Sequence, residues 1–245
     1  MNGNEICLIR TINPGQNMRF FLSIILLSLS LAVTAQYETT DWANLGRYKS
    51  ANMKLKPPAK GEQRVVFMGN SITENWPNAD SFFQKHTNYI NRGISGQTTP
   101  QMLLRFRQDV IQLNPSAVVI LAGINDIAEN TGPITVEEIF GNIKSMAELA
   151  RANNIRVILC SVLPANVIPW RTEIQPANQV IQLNALLKKY CNETKIVYVD
   201  YYSNLVDDQK GLPIKYSEDG VHPNADCYEL MELLVQEAIS NTLKH

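Results

Sequence analysis

The feature that most constrains this chain is an alternation of short, β-rich apolar runs with longer stretches of helical periodicity. The runs cover Val65 to Met68, Tyr89 to Asn91, Ala117 to Ala122, Arg156 to Ser161 and Ile196 to Val199. Helical patterns follow at Pro100 to Leu113, Val136 to Asn153, Ala177 to Cys191 and Ala225 to Leu243. Parallel neighbours in a sheet need long crossovers, and a helix is the usual one. The order therefore predicts an α/β domain built on a five-stranded parallel sheet with helices on both faces. In such a sheet ligands bind beyond the carboxyl ends of the strands, so the residues just after each apolar run are the ones to read for chemistry.

The 245 residues, 45% of them hydrophobic and 18% charged, hold ample material for one core. No repeat or internal linker divides them. A formal net charge of -1 and the absence of any dense Lys/Arg run exclude a surface built to neutralise phosphates, so no nucleic-acid partner is expected. The four cysteines, Cys7, Cys160, Cys191 and Cys227, form neither a CxxC nor a Cys/His cluster, which supports no disulfide framework and no metal site. No cofactor is expected.

The amino terminus reads differently. Arg19 precedes a 14-residue apolar run, Phe20 to Val33, which ends in the small-residue pattern Val33-Thr34-Ala35. This predicts a secretory signal peptide over residues 1–35, with Met18 as an alternative start, and a secreted or periplasmic mature protein. The run is shorter than the roughly 20 residues a membrane-spanning helix needs, so no stable membrane anchor is expected. Residues 36–60 are polar with Tyr37, Trp42 and Tyr48 among them, and close on Lys56-Pro57-Pro58; they predict an N-terminal arm with a helix, ahead of a domain over 61–245.

Gly69-Asn70-Ser71 follows the first apolar run, where a serine hydroxyl would be delivered to the carboxyl edge of the sheet. A turn and helix cap would use the same residue types. A serine nucleophile needs a base, and the chain has three histidines. His245 is terminal and His86 has no acid suitably close, whereas His222 lies in Glu218-Asp219-Gly220-Val221-His222-Pro223. There Asp219 can meet one imidazole nitrogen while the other faces a serine, the division of labour that a hydroxyl nucleophile requires. Pro223 suits the first position of the final helix. Two more strand ends offer donors for a developing oxyanion: the Gly93 N–H in Arg92-Gly93-Ile94-Ser95-Gly96, and the Asn125 amide in Gly123-Ile124-Asn125-Asp126. Asp126 and Asp200, both near strand ends, are rival candidates for the acid, although Asp126 adjoins the donor Asn125, and Asp200 suits a turn cap.

GNSIT, RGISG, GIND and DGVHP, in this order from Gly69 to Pro223, resemble the four blocks of the SGNH hydrolases, also called the GDSL esterase/lipase family. The resemblance implies a flavodoxin-like, three-layer α/β/α fold and no metal. It also implies a mechanism in which Ser71 attacks, His222 relays the proton and Asp219 orients the imidazole, with Ser71 N–H, Gly93 N–H and Asn125 as the oxyanion hole. One departure is Asn70, where the family name has Asp; an amide keeps hydrogen-bonding capacity without the charge. The serine context is not a GxSxG elbow, which disfavours the larger α/β-hydrolase class.

Val162 to Trp170 follows the fourth run and should overhang the crevice, with apolar residues such as Val167 as an acyl wall and Trp170 or Trp76 as a stacking surface for a sugar; alternatively, both tryptophans pack loops to the domain. These features point to a secreted serine esterase acting on short acyl esters, acetyl above all, of small molecules or carbohydrate. A lysophospholipase or an esterase resembling platelet-activating-factor acetylhydrolase is the alternative among enzymes, and a non-catalytic carbohydrate-binding module is the alternative outside them.

Overall fold

The computed structural model of the protein describes residues 41–79 and 81–244. The expected signal peptide, the first residues of the arm and His245 lie outside the described residues.

Five strands, β1 (Val65–Gly69), β2 (Tyr89–Gly93), β3 (Ala117–Leu121), β4 (Arg156–Cys160) and β5 (Val197–Val199), form one sheet in the order β2-β1-β3-β4-β5. Every neighbouring pair is parallel. This is the flavodoxin-like order, in which the chain reverses its direction of sheet growth beside β1 and opens a crevice at the carboxyl ends of β1 and β3. All residues of β1 and β3 are buried, which is why these runs are apolar throughout rather than alternating.

The helices are α1 (Lys49–Lys54), α2 (Ser71–Ala79), α3 (Phe82–Lys85), α4 (Thr99–Asp109), α5 (Ile124–Ile127), α6 (Val136–Ala152), α7 (Ala177–Thr194), α8 (Tyr201–Leu205) and α9 (Ala225–Leu243). In one layer α6 packs against α4 and α7; in the other α9 packs against α2 and α8. The result is the three-layer α/β/α arrangement. α6 shows the sequence logic well: Val136, Ile139, Ile143, Met146, Ala147 and Ala150 make its buried stripe, and Thr135 with Glu138 forms a reciprocal capping box at its start.

Two local expectations are corrected. Asn224 caps α9 by accepting the Cys227 N–H at 3.1 Å, so Pro223 precedes the cap instead of occupying the first helical position. Trp76 is not available to a substrate, because it is only 1% exposed. Its ring stacks on Phe82 at 5.4 Å and meets Phe67 edge-on at 6.0 Å, while its Nε1 donates to Glu232 at 3.0 Å. A large ring with one donor belongs in a core when that donor finds an acceptor.

Candidate active site

Three of the predicted residues meet at the carboxyl edge. Ser71 is the first residue of α2, directly after β1, so its backbone N–H is one of the orphan donors of a helix start. Asn70 organises that start, its Oδ1 accepting the Ile72 N–H at 3.1 Å. A neutral amide oxygen is sufficient for this bond, which accounts for Asn where the family pattern has Asp.

Ser71 Oγ lies 3.0 Å from His222 Nε2, across 151 positions of chain. His222 Nδ1 lies 2.7 Å from Asp219 Oδ2. The other carboxylate oxygen, Asp219 Oδ1, accepts the N–H groups of His222 at 2.7 Å and Val221 at 2.8 Å, and the Ser217 hydroxyl at 3.1 Å. Gly220, at φ +79°, makes the tight bend that lets Asp219 reach His222. Partial burial pushes the Asp219 carboxyl upward, but the bonds from His222 and Val221 outweigh it and hold the group at about 2. An ionised acceptor at Nδ1 favours the tautomer with the proton on Nδ1, leaving Nε2 to accept from Ser71.

The donors opposite come partly from where the sequence placed them. Asn125, in α5 after β3, is buried, and its Nδ2 donates one hydrogen to the Gln97 carbonyl at 3.0 Å. That bond uses one of the two hydrogens on the nitrogen. Gly93 does not serve as expected. Its N–H donates to Asn91 Oδ1 at 2.9 Å, and a Cβ there would stand 2.2 Å from the Glu74 backbone nitrogen. Gly93 is glycine because β2 and α2 press together. The glycine at the pocket is Gly96, three residues on in the same RGISG block, with φ +75°. Its signal was the second glycine of that block.

A pocket of about 260 Å³ is lined by Ser71, Asn75, Ser95, Gly96, Asn125, Asn130, Trp170 and His222. Trp170 forms one wall, its ring 5.9 Å from the His222 ring and its Nε1 donating to Asn130 Oδ1 at 2.9 Å. Asn130 in turn donates to the Gly96 carbonyl at 3.2 Å. Sequence reasoning missed Asn75 and Asn130, because neither falls in a motif block. Val167 is exposed but does not line the pocket; it stands against Gly220, under the turn that carries Asp219 and His222. A larger groove of about 830 Å³ lies at the opposite edge, around Ser116, Arg151 and Arg156, and has no serine–histidine pair.

The rival acids have other partners. Asp126 is buried and accepts the Thr99 N–H at 2.9 Å and the Thr99 hydroxyl at 2.6 Å, tying down the start of α4. Burial raises its carboxyl to about 6, against the bonds from Thr99. Asp200 caps α8 through the Ser203 N–H at 3.0 Å and pairs with Lys188 at 3.1 Å. Among the described residues no group of three or more His, Cys, Asp or Glu side chains is placed to hold a metal ion.

The profile of the GDSL-like lipase/acylhydrolase family matches residues 67–230. The chain belongs to this family, the SGNH hydrolases, which are carboxylic ester hydrolases. A GDSL-like lipase from Bacteroides thetaiotaomicron is 53% identical, with 82% of this chain and 99% of that one aligned at a TM-score of 0.79. Esterase TesA from Pseudomonas aeruginosa is 27% identical over 55% of this chain and 60% of its own length. Axe2, an acetylxylan esterase from Geobacillus stearothermophilus solved as a catalytic mutant, shares the fold at 19% identity, with 76% and 96% aligned and a TM-score of 0.60. The chain spans 50% and 60% of the lengths of the curated relatives it matches.

Proposed function

We propose that this protein is an exported serine esterase that removes short acyl groups, acetyl first, from carbohydrate. The observation that carries the reading is the continuous hydrogen-bonded line from Ser71 Oγ through His222 to Asp219 at the mouth of a small pocket. His222 Nε2 takes the Ser71 proton as Oγ attacks the ester carbonyl. The oxyanion is held by the N–H groups of Ser71 and Gly96 and by Asn125 Nδ2. His222 then returns the proton to the leaving alcohol, and water, deprotonated by the same nitrogen, cleaves the acyl group from Ser71. Asp219, ionised throughout, steadies the imidazolium.

The acyl-group preference rests on pocket size, since about 260 Å³ walled by Asn75, Asn130, Ser95 and Trp170 suits a short acyl group better than a fatty chain. Export rests on the leader-like residues 1–35, ahead of an arm ending near residue 60 and the domain over 61–245.

The deciding experiment is release of acetate from acetylated xylan or acetylated sugars, compared with hydrolysis of lysophospholipid, by wild type and Ser71→Ala. Turnover on the sugar esters that vanishes in the variant supports the reading. Retained turnover removes the nucleophile assignment, a steep preference for lipid transfers the enzyme to the lipid esterases, and sugar binding without turnover makes it a binding module.

A further inference from the structure

The residues ahead of β1 precede the family-matched stretch and take no part in the reaction above, yet their bonds end on residues that flank the pocket's Ser95–Gly96 edge. Arg47 Nη2 donates to Glu74 Oε1 at 2.8 Å. The second oxygen of Glu74, Oε2, accepts the Ser95 N–H at 2.7 Å and the Ser95 hydroxyl at 2.6 Å. Glu74 sits one turn after Ser71 on α2, and Ser95 immediately precedes Gly96. Further bonds from the same segment end on the same loop. Tyr48 Oη donates to the Gly93 carbonyl, and the Ala43 carbonyl accepts from Gln97 Nε2 at 2.8 Å. Gln97 is also the residue whose carbonyl holds Asn125.

We propose that Arg47 and Glu74 are positioning residues: the N-terminal arm, acting through Glu74, sets where the Ser95–Gly96 turn stands against Ser71. This rests on the reading above that the Gly96 N–H helps to hold the oxyanion. The turn's own closing bond, from the Gln97 N–H to the Ile94 carbonyl, is long at 3.3 Å, and an oxyanion donor works only if its place is set before the reaction. A carboxylate suits the task, because one oxygen clasps both donors of Ser95 while the other remains for Arg47. Partial burial pushes the Glu74 carboxyl upward, but the bonds from Ser95 and Arg47 outweigh it and keep it below the usual range. Arg47 also offsets a negative charge that would otherwise oppose an anion forming one turn away.

The test uses Glu74→Ala, Glu74→Gln and Arg47→Ala in the full chain, with kcat and KM on p-nitrophenyl acetate and thermal midpoints measured together. Glu74→Ala is expected to lower kcat by ~10- to 100-fold. KM should stay within about two-fold of wild type. Glu74→Gln should recover part of the loss, to about the level of Arg47→Ala, since its carbonyl oxygen still accepts from Ser95 while its NH2 cannot accept from Arg47. Arg47→Ala should lower kcat by roughly 3- to 10-fold. A wild-type kcat with a lowered thermal midpoint, a change in KM alone, or no recovery in Glu74→Gln would overturn the proposal. If Glu74→Ala does not fold, Arg47→Ala decides alone, since Arg47 is half exposed and a wild-type kcat there would overturn the link. Ser71→Ala separates the two levels. Turnover surviving in that variant defeats the esterase reading itself, whereas an inert Ser71→Ala beside fully active Arg47 and Glu74 variants defeats only the positioning role of Arg47 and Glu74.

Discussion

Arg105 Nη2 donates to the Gly69 carbonyl at 3.1 Å, so a fully buried guanidinium braces the end of β1 two residues before Ser71. Its Nε donates to Gln97 Oε1 at 2.6 Å and its Nη1 to Asp109 at 3.2 Å. One side chain thus joins β1 to the loop that holds Asn125. Among the described residues, Arg105→Leu would leave the buried Asp109 with the Asn52 and Gln108 amides as side-chain donors, in place of a directly paired cation. We expect a loss of roughly 3 kcal/mol, read by urea unfolding, because removing one member of a buried pair leaves the other charge uncompensated.

Asn70 should behave as a helix cap rather than as a catalytic group. Asn70→Ala deletes the acceptor for the Ile72 N–H and is expected to cost about 1 kcal/mol of stability. In the same protein the thermal midpoint should fall more visibly than kcat. A large loss of kcat at unchanged stability would give Asn70 a direct role.

Asp219→Asn keeps an oxygen for the backbone bonds but can turn its NH2 toward His222 and select the wrong tautomer. A fall in kcat of ~10³- to 10⁴-fold is expected, with the protein still folded by circular dichroism. The pH dependence has a definite sign. The folded group lies at about 2, below its ordinary 3.8, so the stability it contributes is present above pH 4 and is lost as pH falls toward 2. Asp219→Asn should flatten the unfolding free energy in that window.

Asp126 should work in the opposite direction. Its folded value of about 6 lies above the ordinary 3.8, so stability linked to the protonated form is complete below pH 4 and disappears as pH rises through 6. Asp126→Asn keeps an acceptor for Thr99 and never ionises. Relative to wild type it should gain stability between pH 4 and pH 7, by on the order of 2 kcal/mol, in urea titrations at several pH values.

Trp170 tests the carbohydrate reading. Being 41% exposed beside His222, it offers a face for a sugar. Trp170→Ala is expected to raise KM for an acetylated sugar by about ten-fold while changing p-nitrophenyl acetate turnover far less. Equal effects on both would make Trp170 a support for Asn130 and Gly96 instead.

The strands were legible because β1 and β3 are apolar along their whole length, and the long helices because residues such as Ile139, Ile143 and Met146 repeat at helical spacing. α2 was not separately visible. It carries Pro77 within its span, and Trp76 interrupts its polar sequence with a ring whose burial depends on Phe82, Phe67 and Tyr228. Of the two glycines of RGISG, the one expected from sequence as the donor is the first, Gly93. They separate only when α2 presses on Gly93 and Gly96 turns left-handed at the pocket.

What the sequence by itself determined was the class of architecture and the residue types at each strand end, because periodicity and motif spacing are local properties of the chain. What only the tertiary structure decided was contact across long separations: that Ser71 meets His222, that Glu74 clasps Ser95 under Arg47, and that Trp170 faces the pocket while Trp76 does not. Those relations depend on how the crossovers stack the strand ends side by side, and a distance between two side chains is set by packing that no single segment encodes.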